Sequence, residues 1–176
     1  MGRHRLGIVL LLPEPWAAEV DGIRRALGDE ALPRIPPHIT LVPPVDVHDE
    51  DLPVAFDVVH AAAGACPPLT LRIGPTASFA PRNPVAYLAV AGEPSAMAHL
   101  VRLKDDLHTP PLDRPPDHDF VPHVTVARTL PDDRLQAAVA ALSQWSEEVP
   151  FDRVTVLAHQ PERVWVPVTD APMGRG

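Results

Sequence analysis

The chain has 176 residues, of which 45% are hydrophobic and 22% are charged, as in an ordinary globular protein. These values exclude a fibrous or intrinsically disordered chain, and the length suits one domain or two small lobes with a shared core. The net charge of −8 disfavours sequence-independent binding of duplex DNA, which usually requires a basic surface. The single cysteine excludes an internal disulfide framework and favours a reducing, cytoplasmic location.

The N-terminus has the charge and hydropathy pattern of a signal peptide, because the basic residues 3–5 precede the apolar residues 6–12. The apolar run is much shorter than the about 20 residues that span a membrane. Pro13-Glu14-Pro15-Trp16 follows it, where a cleavage site would need small residues. We therefore predict a buried first strand.

Hydrophobic periodicity predicts short helices and strands joined by stiff loops, in keeping with the 24 prolines. The predicted helices cover residues 16–27, with Gly28 as the stop, 49–65, 94–108 and 131 to about 144. The predicted strands cover residues 6–12, 38–42, 69–73, 85–90 and 120–127, and Pro43-Pro44 is predicted to end the second of them. Residues 151–158 and 163–168 are predicted to form a closing hairpin. Residues 109–119 are predicted to be irregular, and residues 170–176 to be frayed.

Two of the predicted strands share one motif, because residues 37–41 and 122–126 both follow the pattern Pro-His-aliphatic-Thr-aliphatic. Side chains alternate between the faces of a strand, so His38 and Thr40 share one face, and His123 and Thr125 share the corresponding face of the other strand. One copy alone would be weak evidence, since a strand histidine is usually structural and threonine is a good strand former. Two copies at matching positions indicate a shared site.

The chemistry that suits such a pair is displacement at a phosphoester. One imidazole accepts the proton of the attacking oxygen and the other protonates the departing oxygen, because histidine exists in both forms near neutral pH. The threonine hydroxyls can donate to the non-bridging oxygens as negative charge develops. This scheme requires no metal ion.

These residues resemble the 2H phosphoesterase superfamily, named for two His-x-Thr motifs, and most closely its branch of bacterial 2′-5′ RNA ligase-like proteins and RNA 2′,3′-cyclic phosphodiesterases. The resemblance extends over nearly the whole chain and includes the segment 120–128. It implies a single bilobal α+β domain over residues 1–176. Two antiparallel sheets backed by helices would surround a central cleft in a pseudo-two-fold arrangement.

The resemblance also implies hydrolysis of a 2′,3′-cyclic phosphate to a 2′-phosphate, without cofactor or metal, and the reverse 2′-5′ joining reaction. His38, Thr40, His123 and Thr125 become the catalytic residues. For hydrolysis we expect His123 to activate water and His38 to protonate the leaving 3′ oxygen, although the roles exchange in the joining direction. The implied partner is an RNA 3′ end or a small cyclic nucleotide, and we expect a monomer that binds neither duplex DNA nor membrane.

Four further residues are candidates for substrate binding. Arg128 matches a basic position of the branch and could bind phosphate, but strand parity places it opposite His123 unless the strand twists or ends near Ala127, the alternative being a surface arginine. Arg82 is a candidate phosphate clamp and Phe79 a candidate base-stacking residue, the alternatives being a solvated charge and a buried anchor. Phe120 is expected at the cleft mouth, with core packing as an equal alternative.

Three other interpretations remain at this point. Residues 117–119 and His123 form a possible metal cluster, although their spacing matches no common metal motif. The chain could bind nucleotides or RNA ends without turnover, or it could be a purely structural α+β protein. A structural protein would not place its two imidazoles together.

Overall fold

The computed structural model describes residues 2–174, which form two four-stranded antiparallel sheets and four α-helices. The strands are β1 (Arg3–Leu11), β2 (His38–His48), β3 (Leu69–Ser78), β4 (Ala86–Ala91), β5 (His123–Ala127), β6 (Glu147–Phe151), β7 (Arg153–Gln160) and β8 (Val164–Pro172). The helices are α1 (Trp16–Leu27), α2 (Leu52–Gly64), α3 (Pro94–Leu107) and α4 (Asp132–Ala141). The strand orders are β2-β1-β7-β8 and β5-β4-β3-β6. The predicted α+β fold with two antiparallel sheets is confirmed.

The N-terminal apolar segment is a central strand, as predicted. β1 pairs with β2 on one side and with β7 on the other, and Leu6, Ile8 and Leu10 are buried. The first helix ends as predicted at Gly28, which adopts a left-handed φ of 72° and donates its N–H to the carbonyls of Arg24 and Arg25. No helix within residues 2–174 is long and apolar enough to cross a membrane.

The helices connect the two sheets. α1 packs against β5, which belongs to the second sheet, and α3 packs against both β2 and β3. β2 and β5 also contact each other, so the two strands that carry the histidine motifs lie side by side at the junction of the sheets. One hydrophobic core extends through both sheets and includes Ile39 of β2 and Val124 of β5.

The predicted end of the second strand at Pro43-Pro44 is wrong, because β2 continues to His48. β2 is an edge strand, and an edge position tolerates proline because one side of the strand has no ladder partner. The β1–β2 register also shifts between the pairs Leu6–Val45 and Ile8–Val42, so a bulge accommodates the two prolines.

Other elements also differ from the sequence predictions: β3 continues past residue 73 to Ser78, and β5 begins only at His123. β6 is absent from the predicted strands because its sequence, Glu-Glu-Val-Pro-Phe, is acidic and contains Pro150. It is also an edge strand, and only Val149 and Phe151 point into the core. The predicted frayed tail is wrong for Asp170–Pro172, which complete β8, while residues 175–176 lie outside the described part of the chain. Residues 109–119 contain neither helix nor strand, as predicted.

β3 contains a bulge at Gly74, where its pairing with β4 changes register. The β3–β4 register changes between Ile73–Val90 and Thr76–Leu88, so β3 has one extra residue there. Gly74 lies in the bulge with a φ of 106°, a conformation that residues with a Cβ rarely adopt. A Cβ at this position would overlap the carbonyl oxygen of Trp145 and would lie 3.0 Å from the Cα of Ser146.

Replacing this glycine is therefore expected to destabilise the fold strongly. Gly74→Ala should lower the free energy of unfolding by about 3 kcal/mol, because backbone strain and a steric clash act together. Gly22→Ala is the matched control, since Gly22 lies in α1 with nothing within 4 Å of its would-be Cβ. This control should stabilise the protein by about 0.5–1 kcal/mol through helix propensity. Urea unfolding of both variants tests the pair, and equal effects would contradict the account of the bulge.

Candidate active site

The burial pattern of β2 and β5 confirms the predicted alternation of faces. Ile39 and Leu41 of β2 are buried, whereas His38 and Thr40 are only half-buried. β5 repeats the pattern, with buried Val124 and Val126 and with half-buried His123 and Thr125. Each strand therefore uses one face for the core and presents an imidazole and a hydroxyl on the other.

Both imidazoles are held in the same tautomer. Nδ1 of His38 lies 2.8 Å from the carbonyl oxygen of Pro36, and Nδ1 of His123 lies 2.8 Å from that of Val121. A carbonyl oxygen can only accept, so Nδ1 carries the proton and donates it in both rings. The neutral form of each histidine therefore has its free lone pair at Nε2, available to a ligand.

Burial and the charge of Arg128 act on both histidines. Burial lowers the pKa of His38 from 6.5 to about 4, and the hydrogen bond to Pro36 opposes this shift. The positive charges of Arg128, Arg24 and protonated His123 also lower the pKa of His38. Burial likewise lowers the pKa of His123, with a further contribution from the charge of Arg128. The imidazole of His123 is thus close enough to affect the protonation of His38, and both rings are neutral in the empty protein at pH 7.

A cavity of about 910 Å³ opens beside β5. His123, Thr125 and Arg128 line it, together with Phe79 and Arg82 from the loop between β3 and β4. Its lining does not include His38, Thr40 or Phe120. The structure thus brings five of the eight residues predicted for the site around one cavity. β2, which carries His38 and Thr40, contacts the cavity-lining strand β5, and the charges of Arg128 and His123 act on His38.

Arg128 reaches the cavity because β5 ends at Ala127. Strand parity would have placed its side chain on the face opposite His123, but the chain leaves the strand just before this residue. Phe120 lies elsewhere, partly buried against the core, with the ammonium group of Lys104 at 5.4 Å from its ring centroid. The alternative of core packing therefore describes Phe120 better than a position at the cleft mouth.

Sequence reasoning did not identify Tyr87 as a site residue. Its ring stacks on that of Phe79 at a centroid distance of 4.1 Å, and both rings contact the edge of His123 at 5.5 Å and 5.0 Å. Tyr87 lies directly opposite Thr125 in the β4–β5 ladder. Pairing of the predicted strand 85–90 with the second motif strand would have indicated this position. The stacked pair fixes the ring of Phe79 beside the catalytic candidate His123.

The metal interpretation has no geometric support. In the described part of the chain, His, Cys, Asp and Glu side chains form no group of three or more that could hold a metal ion. Asp117 pairs instead with Arg114 at 3.4 Å, and Nδ1 of His118 donates to the carbonyl oxygen of Asp119. Residues 117–119 still line the cavity, so they add two carboxylates and an imidazole to its rim.

Comparison with known proteins agrees with these features. The family model of the 2′-5′ RNA ligase superfamily matches residues 12–163. A protein of Bacillus cereus (strain G9842) named "Putative phosphoesterase" is 30% identical over 174 residues, which is 98% of each chain.

Solved structures share the fold at lower sequence identity. Escherichia coli LigT in complex with 3′-AMP superimposes with a TM-score of 0.63 at 18% identity, covering 98% of this chain and 99% of LigT. TT0787 of Thermus thermophilus gives a TM-score of 0.63 at 19% identity, covering 97% of this chain and 98% of that protein. The duplicated histidine motif, the two-sheet fold and the family match over most of the sequence lead to one conclusion: the chain belongs to the 2′-5′ RNA ligase superfamily of 2H phosphoesterases.

Proposed function

We propose that the chain is a phosphodiesterase that hydrolyses the 2′,3′-cyclic phosphate of an RNA 3′ end, or of a related small cyclic nucleotide, to a 2′-phosphate. The observation that carries the proposal is the pair of equivalent imidazoles on two strands that contact each other, each with its Nδ1 bonded to a backbone carbonyl and each affected by the charge of Arg128. LigT, which shares the fold, has been crystallised with 3′-AMP and with ATP, which supports a ligand of nucleotide size.

In the proposed reaction, a water oxygen attacks phosphorus and transfers its proton to Nε2 of one histidine. The bond between phosphorus and the 3′ oxygen breaks, and the second histidine protonates this oxygen from its own Nε2. The products are a 3′ hydroxyl and a 2′-phosphate. Thr40 and Thr125 donate hydrogen bonds to the non-bridging oxygens, whose negative charge increases in the transition state. The guanidinium of Arg128 neutralises part of this charge.

The pKa values favour the reverse of the sequence-based expectation, in which His123 is the base and His38 the acid. His38 has its pKa lowered to about 4, so it is almost entirely neutral at pH 7 and is suited to accept a proton. His123 is less enclosed and is the better candidate for the proton donor once an anionic substrate is bound. We therefore assign the base to His38 and the acid to His123, with exchanged roles in the joining direction.

The proposed substrate contacts beyond the phosphate come from the loop between β3 and β4. Phe79 rests on Tyr87, so its position is fixed before a ligand arrives and a nucleobase can stack on it at a low entropic cost. Arg82 is exposed on the same loop and lines the cavity, where it can contact the phosphate or the ribose. With few aromatic residues in the chain, such contacts suit one or two nucleotides.

A substrate panel tests the proposed function. Nucleoside 2′,3′-cyclic phosphates and oligoribonucleotides with a cyclic phosphate end are incubated with the protein, with and without EDTA, and the products are separated as 2′- or 3′-phosphates. We expect 2′-phosphates at equal rates in both buffers. Loss of activity in EDTA, or 3′-phosphate as the product, would contradict the proposal. Saturable binding of a nucleoside 2′-phosphate without turnover would identify a nucleotide-binding module instead of an enzyme.

The pH dependence of kcat/KM provides a second test. This constant reports the free protein, in which the pKa values of both His38 and His123 lie below 6.5. The neutral base is lost as the pH falls towards the lower pKa, and the protonated acid is lost as the pH rises above the higher one. We therefore expect a bell-shaped profile with its maximum below pH 6.5. A maximum at pH 7 or above would show that burial does not control these imidazoles.

A further inference from the structure

A buried ion pair joins α1 to the loop between α1 and β2, and its position indicates a role beyond stability. Arg24 of α1 is 2% exposed, and its Nε donates to Oδ2 of Asp29 at 2.8 Å. Its Nη1 donates both to Asp21 at 3.0 Å and to the backbone carbonyl of Ile35 at 2.9 Å. Asp29 in turn accepts the backbone N–H of Ala31, so the pair holds both ends of this loop.

The carbonyl that Arg24 holds is one residue away from the carbonyl that orients His38. Ile35 C=O belongs to the peptide group that links Ile35 to Pro36, and Pro36 C=O accepts the Nδ1 proton of His38. We propose that the Arg24–Asp29 pair is a positioning device for His38, which fixes the orientation and tautomer of this imidazole through the Ile35–Pro36 peptide. The catalytic part of this inference rests on the proposed function, whereas the positioning can be measured without turnover.

The two consecutive prolines make the connection rigid. The ring of Pro36 fixes its φ, and the following Pro37 restricts the ψ of Pro36 to extended values. Both rotations between the carbonyl of Ile35 and that of Pro36 are therefore restricted. On the far side, the carbonyl of Pro37 accepts the N–H of Leu12 at 3.1 Å, which anchors the segment to the end of β1. If a substitution at Arg24 displaces the carbonyl of Ile35, the carbonyl of Pro36 that orients His38 should therefore move with it.

The second motif differs in this respect. Val121, whose carbonyl orients His123, is exposed and follows an irregular loop. Arg24 is also among the charges that affect the protonation of His38, along with Arg128 and His123, but it is not among those acting on His123. Replacing Arg24 should therefore change the tautomer of His38 and leave that of His123 unchanged. This asymmetry distinguishes positioning from a general loss of structure.

The test uses the full chain and compares Arg24→Lys with Arg25→Met, which changes the exposed neighbouring arginine of α1. The lysine variant keeps a positive charge but cannot make the forked contacts to Asp29 and Ile35 together. We expect the ¹⁵N signals of His38 to shift from the Nδ1–H tautomer towards a mixture, with those of His123 unchanged. We expect kcat to fall about 10- to 100-fold with KM altered less than about threefold. The control should change neither.

A second variant avoids the risk that the buried pair is needed for folding. Pro36→Ala keeps the ion pair but frees the φ of residue 36, so the tautomer of His38 should shift in the same direction. If His38 keeps the Nδ1–H tautomer in both variants, or if His123 shifts equally, the positioning role is overturned. An unchanged kcat in a variant whose His38 tautomer has shifted would leave positioning intact and contradict the proposed catalytic role of His38. The two failures are thus distinguishable.

Discussion

Replacement of either motif histidine by alanine is expected to lower kcat for cyclic phosphate hydrolysis by about 10²- to 10⁴-fold, the range for loss of a general acid or base. His38→Ala removes the proposed proton acceptor and His123→Ala the proposed donor. Because both act in the same step, the double variant should lose much less than the product of the two single effects. Steady-state kinetics of the three variants on one cyclic nucleotide measures this non-additivity.

His99→Ala is the matched control for these variants, because His99 is an exposed histidine of α3 and lies outside the cavity. It should leave kcat and KM unchanged. The fold of each variant is checked by thermal unfolding, since both motif strands contribute to the core. Full activity in folded His38→Ala or His123→Ala protein would eliminate the two-histidine mechanism, whatever the effect of the other substitution.

The two threonines are expected to contribute mainly to the transition state. Thr40→Val and Thr125→Val remove a hydroxyl while keeping side-chain volume and β-branching, so the strands should be retained. Each substitution should lower kcat by about 10²-fold, as the loss of one donor to a developing oxyanion does. KM should change by less than about threefold, because the hydrogen bond strengthens only as charge develops.

Thr70→Val serves as the control for the threonine variants, since Thr70 is an exposed strand residue of β3. It should have wild-type kinetics. A rise in KM at constant kcat in Thr40→Val or Thr125→Val would assign these hydroxyls to ground-state binding. That result would contradict transition-state stabilisation by the two motifs, while the histidine variants would still report on acid–base catalysis.

The sequence alone predicts which face of each strand carries the motif side chains, because strand periodicity is a local property. Alternation alone predicts that His38 and Thr40 share a face, and the burial pattern agrees. It also predicts correctly that Arg128 can reach the cavity only if the strand ends near Ala127. The adjacency of β2 and β5 does not follow from periodicity. The duplicated motif and the resemblance to a family with a central cleft predict it.

Sequence reasoning did not predict the features that depend on tertiary contacts. β2 continues through Pro43-Pro44 because it is an edge strand with a bulge, and the edge position is not encoded in the local sequence. Tyr87 reaches the site through the β4–β5 register, and Arg24 contacts the carbonyl of Ile35 because the loop after α1 returns to this helix. The shared Nδ1–H tautomer depends on backbone carbonyls two residues before each histidine, which only coordinates reveal.

The proposed mechanism requires the Nε2 atoms of both histidines to contact one phosphate. It is tested most directly by titrating the ¹⁵N-labelled protein with a nucleoside 2′-phosphate and following the imidazole signals of His38 and His123. We predict that the Nε2 signals of both residues shift with one common dissociation constant and that both Nδ1 atoms remain protonated. A shift of only one imidazole, or two different dissociation constants, would show that the motifs do not share a ligand.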